Sequence, residues 1–223
     1  MRCLRAVVVL AVLLAPLPVF AQAATPSAPA RITFDVGALM IGGAKAGTTT
    51  ETYTAPDGSA VPQFTLDKSV SPAFGVNGHV SFRVTSRVAF EVGAEWARPE
   101  LRTKLSGDTD GADSVTATQS IHRFVFGGGA TVGLRSFGKW QAFARGSIGW
   151  LRELSNDQTL YQDGWVAQAG GGANYLWKTP TGHFRPYGIR ADLWLDIRHG
   201  GLDFSDKPRL LAPAFSAAVI FKL

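Results

Sequence analysis

GHVSFRVTSRVAFEVGAEW, residues 78–96, alternates in polarity along its length and is interrupted once. Gly78, Val80, Phe82 and Val84 are uncharged, while His79, Ser81 and Arg83 alternate with them. After Thr85, Ser86 and Arg87 the pattern resumes with Val88, Phe90, Val92, Ala94 and Trp96, now alternating with Glu91 and Glu95. Strict period-2 alternation is the signature of a strand with unlike faces. Two such runs joined by a short polar link read as a hairpin. Val84 and Val88 share a face, so a three-residue turn sets them opposite each other. Counting back from that pair puts Ser81 opposite Glu91, His79 opposite Gly93 and Asn77 opposite Glu95. Arg83 is then diagonal to Glu91, within reach of a long side chain.

Working outward, the same alternation recurs over 32–40, 124–134, 142–150, 165–177, 187–197 and 215–223, and residues 74–78 extend the first run of the hairpin. The apolar face of each of these eight segments carries no charge. The opposite faces gather Asp35, His79, Arg83, Glu91, Glu95, Arg123, Arg135, Arg145, Arg190, Asp192, Asp196 and Lys222. Phe143 and Trp194 fall on that polar face too, and Trp194 there needs a partner for its indole N–H. No convincing 3.6-residue stripe appears, and no segment after the N-terminus has the 18 apolar residues of a membrane helix.

The links alternate as well. Those after the first, third, fifth and seventh segments are long and polar, as in GDTDGADS at 107–114. Those after the second, fourth and sixth are short. An even number of strands with short turns at one end and long loops at the other is the pattern of a membrane-spanning barrel. Aromatic residues cluster at both ends of the segments, among them Trp96, Trp140, Trp150, Trp165, Trp177 and Tyr187. Amphipathic rings favour the water–lipid boundary. The expected fold is therefore all-β: an eight-stranded antiparallel up-and-down transmembrane β-barrel with four long extracellular loops and three short periplasmic turns. A soluble eight-stranded barrel would turn the apolar faces inward instead.

The chain resembles the small eight-stranded outer-membrane barrels of the OmpA/OmpX-like kind. The resemblance covers 31–223 and rests on the 78–96 hairpin, on RPYGIRADLWLDI at 185–197 and on the last segment. It implies an integral outer-membrane protein whose partners are outer-membrane lipids. It also implies that the barrel assembly machinery reads the closing alternation of Phe215, Ala217, Val219, Phe221 and Leu223. The family usually ends in Phe, and this chain ends in Leu223.

The start of the chain reads as an export signal. Arg2 and Arg5 precede an apolar run over 6–20, and Ala21-Gln22-Ala23 supplies a small-x-small cleavage pattern. Residues 1–23 are thus expected to be removed, 24–30 to form a short periplasmic tail and 31–223 to form the barrel. Cys3, the only cysteine, leaves with the signal, so no disulfide is expected. The formal net charge is +5, and two of the cations belong to the signal, so no nucleic-acid partner is implied.

Eight strands enclose a space that side chains just fill. Charges held there must pair, so an internal salt-bridge network is expected in place of a wide pore. The function expected is a structural or surface-interaction role, with loops meeting an unknown extracellular ligand. A narrow or gated small-solute channel is the alternative. A lipid-modifying hydrolase using His79, Ser81 and Glu91 is a weaker one, because a base beside a hydroxyl can activate it but these residues lie mid-strand on the interior face. His199, Asp203 and Ser205 form a looser set in a polar loop. No cofactor or metal is expected: His79, His122, His183 and His199 lack ligand spacing. Asp108, Asp110 and Asp113 lack the EF-hand pattern. Neither Gly127–Gly129 nor Gly170–Gly172 is followed by the residues of a phosphate loop.

Overall fold

The computed structural model describes residues 31–107, 114–157, 159–177, 186–201 and 210–222. Residues 1–30, expected to be signal and tail, lie outside the described residues, as do Asp108, Asp110, Asp113, His183, Asp203, Ser205 and Leu223. The described residues form eleven strands: β1 Ile32–Ile41, β2 Ala44–Thr54, β3 Ala60–Val70, β4 Ala73–Arg83, β5 Val88–Ala97, β6 Glu100–Ser106, β7 Val115–Phe137, β8 Trp140–Ser155, β9 Tyr161–Leu176, β10 Pro186–Gly200 and β11 Leu210–Lys222. All pairings are antiparallel.

From β1 the pairings run through β4, β5, β7, β8, β9, β10 and β11 and return to β1. The sheet is a closed barrel and leaves no edge there to template aggregation. Within the 78–96 hairpin the register has Ser81 opposite Glu91, His79 opposite Gly93 and Asn77 opposite Glu95. The Val84 N–H donates to the Val88 carbonyl at 2.9 Å. Turn length and side-chain parity together leave no other register, since a one-residue slip would invert both faces.

The count of eleven departs from the eight segments of the sequence reading. The long link after the first segment is not a loop but the β2–β3 hairpin, and the link after the third contains β6 and the start of β7. β3 pairs with β6, and β6 with the first part of β7, so this part of the wall continues above the ring. Short irregular steps at Gly42–Gly43, Ser71–Pro72 and Arg98–Pro99 separate lower from upper strands. Proline cannot donate to a ladder, which explains two of those breaks. Strand β2 is mostly exposed, and β3 and β6 are largely half-buried, so their sequence carries little hydrophobic alternation. The Thr-rich run of β2 was the available signal, because β-branched residues favour extended chain.

Glycine in the wall makes room for large interior groups. A Cβ on Gly93 would collide with the imidazole of His79, its cross-strand neighbour. A Cβ on Gly170 would lie 2.5 Å from the Cα of Trp194. The glycine triplets on β7 and β9 thus serve close packing, as their place in strands suggests.

Candidate functional site: the charged interior

The barrel is apolar outside and charged inside. Val92, Phe74, Ile148 and Leu193 are 62%, 78%, 63% and 63% exposed on the outer wall. Asp35, His79, Glu91, Glu95, Arg123, Arg145, Arg190, Asp192 and Asp196 are buried in the interior. The parity of each strand alone accounts for this division, because successive side chains point to opposite faces.

Arg190 is the hub of the lower interior. Its Nε and one terminal nitrogen donate to the two oxygens of Asp192 at 2.7 and 2.9 Å. Its terminal nitrogens donate to both oxygens of Glu91 at 2.6 and 3.2 Å, and one of them reaches Asp35 at 3.3 Å. One guanidinium thus serves three carboxylates from three strands, which its planar fork of donors permits. Phe143 lies beneath it, with the ring centre 4.7 Å from the guanidinium carbon. That contact accounts for an aromatic residue on the polar face. His79 Nδ1 meets Asp35 at 2.9 Å, and the Ser81 hydroxyl donates to Glu91 at 3.0 Å.

A second cluster lies higher. Arg123 donates to Asp196 at 2.7 Å, and the Trp194 indole N–H donates to the other Asp196 oxygen at 2.8 Å. Gln168 bridges: its amide nitrogen donates to Glu95 at 2.8 Å and Asp196 at 3.1 Å, while its oxygen accepts from Arg145 and Ser147. Arg145 stacks over Trp194 at 4.8 Å and stands 3.6 Å from Asp192, joining the two clusters. Above them Arg198 binds Glu153. Asn77, one Glu95 oxygen and part of the Arg145 guanidinium are buried without hydrogen-bond partners among the described residues. A cavity of ≈ 20 Å³ is lined by Glu95, Arg145, His79 and Gln168 among others. It has room for about one water.

Arg83 is only half-buried at the barrel end, and the partner of Glu91 is Arg190 from β10, not Arg83. Arg135 is exposed, not interior. The register shifts between Gly133 and Arg135, a bulge that inverts side-chain parity beyond it. The side chain of Lys222 lies outside the described residues.

Sequence reasoning missed Glu153, Arg198 and Gln168. All three continue an interior parity already in hand: 145, 147, 149, 151, 153 on β8, 190 to 198 on β10, and the even positions of β9. The first two fell beyond the segment ends, and the third is neutral.

Of the aromatics, Trp140, Trp150, Trp165 and Trp177 are exposed and Trp96 is half-buried against His122. The Tyr187 side chain lies outside the described residues. Arg152 covers Trp150 at 4.6 Å, and Trp140 packs on Tyr175 at 4.9 Å.

The architecture defines a closed antiparallel β-barrel with a salt-bridged interior and an apolar outer wall. No family model matches the chain, and no curated protein sequence matches it. Among solved structures, it is similar to the outer membrane protein OprG from Pseudomonas aeruginosa, at 9% identity over 86% of this chain and 95% of that one, with a TM-score of 0.48. It is also similar to the beta domain of the Bordetella autotransporter BrkA, at 9% identity over 86% of this chain and 99% of that one, with a TM-score of 0.36. The specific kinship with the OmpA/OmpX-like kind is carried by neither, and the barrel assignment rests on the pairings of this chain.

Proposed function

We propose that the protein is an integral outer-membrane β-barrel, non-enzymatic, whose eight-strand ring spans the bilayer and whose upper strands and loops meet partners outside the cell. The observation that carries this reading is the inverted distribution of polarity. A soluble barrel hides its apolar face, because exposed apolar patches above a few hundred Å² invite association. This chain exposes Val36, Val76, Val92, Phe126, Ile148, Leu193 and Phe215 around the ring while sealing its ionised groups inside. Only an apolar solvent makes that arrangement economical. Strand β11, with Phe215, Val219 and Phe221 on its outer parity, supports recognition by the barrel assembly machinery. The loops would hold the ligand, and export through a cleaved signal over 1–23 fits the same destination.

The interior supports a structural role over conduction. Phe143 and Trp194 lie in it, the salt bridges cross it, and the cavity lined by Glu95 and Arg145 has room for about one water. The hydrolase reading gains no support from the geometry. His79 turns its Nδ1 to Asp35, and the Ser81 hydroxyl is donated to Glu91, so base and hydroxyl serve different carboxylates. Both lie inside the wall, away from acyl chains.

Cell fractionation with a heat-modifiability gel tests the reading. Recovery in the outer-membrane fraction, with faster migration before boiling than after, is the expected result. A soluble periplasmic product of unchanged mobility overturns it.

A further inference from the structure

The end of the barrel with the short turns is edged by cations. Arg31 precedes β1, Arg83 ends β4, Arg87 precedes β5, Arg135 lies near the end of β7 and Lys139 precedes β8. These five strands are consecutive around the ring, so the cations form one arc. Backbone hydrogen bonds fix their spacing: the Arg83 N–H donates to the Arg31 carbonyl at 2.8 Å, the Gly133 N–H to Arg87 at 2.7 Å and the Leu176 N–H to Lys139 at 2.9 Å. Arg31, Arg87, Arg135 and Lys139 are exposed and Arg83 is half-buried.

Among the described residues, no acid on these turns balances them. Residues 31–34, 82–89 and 133–142 contain neither Asp nor Glu. The next carboxylates along the chain, Asp35 and Glu91, point inward and are held by Arg190. The opposite end differs. There Glu51, Asp57, Asp67, Asp157 and Asp163 stand among Lys45, Lys68, Arg98 and Arg102. Directly beside the cationic arc the outer wall turns apolar, with Ile32, Phe82, Val84, Leu134 and Phe137 exposed. Two of the cations lean on aromatic rings at that border: Arg135 lies 4.6 Å from the Phe137 ring centre and Lys139 5.9 Å from that of Tyr175.

We propose that this arc binds the phosphate headgroups of anionic glycerophospholipids in the leaflet on the short-turn side. The inference rests on the membrane reading and adds which lipid and which end. An arc of cations against an apolar belt fits a molecule in which a phosphate and an acyl chain are joined. A soluble polyanion would use the charge and leave the belt unexplained. Arginine forks meet phosphate oxygens bidentately, and the aromatic contacts hold two of the cations at headgroup depth. Basic side chains beside an anionic surface gain attraction that falls off within a Debye length.

The test uses the full chain in nanodiscs made from equal amounts of phosphatidylcholine and phosphatidylglycerol, with the lipids retained by the protein read by native mass spectrometry. Wild type is expected to retain phosphatidylglycerol in about fivefold preference, the equivalent of one basic side chain held at an anionic surface. The combined variant Arg83→Gln, Arg87→Gln, Arg135→Gln, Lys139→Gln is expected to lose that preference, as is wild type in high salt. The control Lys45→Gln, Lys68→Gln at the other end is expected to keep it. Arginine-to-lysine replacements at 83, 87 and 135 keep the charge and are expected to keep most of the preference, which separates binding from a folding defect. Equal retention of both lipids by wild type, or an unchanged preference in the glutamine variant, overturns the proposal. Failure to enter neutral phosphatidylcholine vesicles at all would instead overturn the membrane reading.

Discussion

Arg190 on β10 reaches across the barrel to Glu91 on β5 and holds both of its carboxylate oxygens, at 2.6 and 3.2 Å. Neither strand is the other's neighbour, so this contact braces the ring across its lumen. Arg190 also carries Asp192 and Asp35. Replacing it with Met leaves three buried carboxylates without their shared cation. Breaking a buried pair by removing one partner costs about 3–5 kcal/mol. Arg190→Met should lower unfolding stability by at least that amount in a urea titration of the folded barrel. Arg190→Lys should recover only part of it, because an ammonium cannot serve three carboxylates with a planar fork.

The stretch 78–96 made the hairpin legible down to its register, since turn length and parity leave one solution. The partner of Glu91 was not legible. Cross-lumen contacts depend on how the strands stagger as the sheet closes, and no single hairpin contains that information. Arg83, the diagonal neighbour by sequence, lost to Arg190, which is 99 residues away in the chain. Strands β2, β3 and β6 were illegible for a different reason: β2 is mostly exposed, and β3 and β6 are largely half-buried, so no apolar face alternates along them. Arg135 was misplaced by a bulge, a one-residue backbone event without a side-chain signature. Trp194 shows the opposite case. Its place on the polar face demanded an acceptor, and Asp196 is that acceptor.

Gly170 sits against Trp194, where a Cβ would lie 2.5 Å from the tryptophan Cα and 2.6 Å from its Cβ. Overpacking of this kind costs about 1–3 kcal/mol. Gly170→Ala should lower the thermal midpoint, and Gly170→Val should lower it further. The double variant Gly170→Ala, Trp194→Phe should not recover the loss, because the clash is with backbone and Cβ atoms that phenylalanine keeps, and Asp196 also loses one of its donors. Midpoints from circular dichroism measure all three.

Glu95 differs from the other interior acids. One of its oxygens accepts from Gln168, and the other has no partner among the described residues. The buried interior holds Asp35, Glu91, Glu95, Glu153, Asp192 and Asp196 against Arg123, Arg145, Arg190 and Arg198, with His79 besides. Among the described residues, carboxylates are in excess. Glu95→Gln removes one of them and keeps the oxygen that Gln168 needs. It should leave stability unchanged or raise it, whereas Asp196→Asn, which breaks the Arg123 pair, should lower it by about 3 kcal/mol or more. Urea midpoints for the two variants test the contrast, and a large loss in Glu95→Gln would show that its charge is needed.

Asp157, at the tip between β8 and β9, accepts hydrogen bonds from the Ser155 and Thr159 hydroxyls and from the Thr159 N–H. These bonds hold its carboxyl below the ordinary value of 3.8. A group whose pKa is depressed on folding contributes order that is present above the unfolded value and is lost as pH falls through the folded one. The tip should therefore stay ordered at neutral pH and loosen only below about pH 4. Amide exchange at Thr159 and Leu160 should rise there beyond its intrinsic acid dependence, and Asp157→Asn should abolish the extra rise.

Val92 and Leu193 stand on the outer wall near mid-strand, 62% and 63% exposed. In water an arginine at either place is nearly free, because exposed surface substitutions cost within about 0.5 kcal/mol. In a bilayer an arginine on the lipid face costs about 2–4 kcal/mol near the midplane and about 0–1 near the interfaces. Leu193→Arg and Val92→Arg should thus reduce folding into phosphatidylcholine vesicles by the larger amount. Val84→Arg, beside the short turn, should cost little. The depth dependence is the decisive part: a uniform small effect at all three positions would mean that the apolar wall faces water or protein and not lipid.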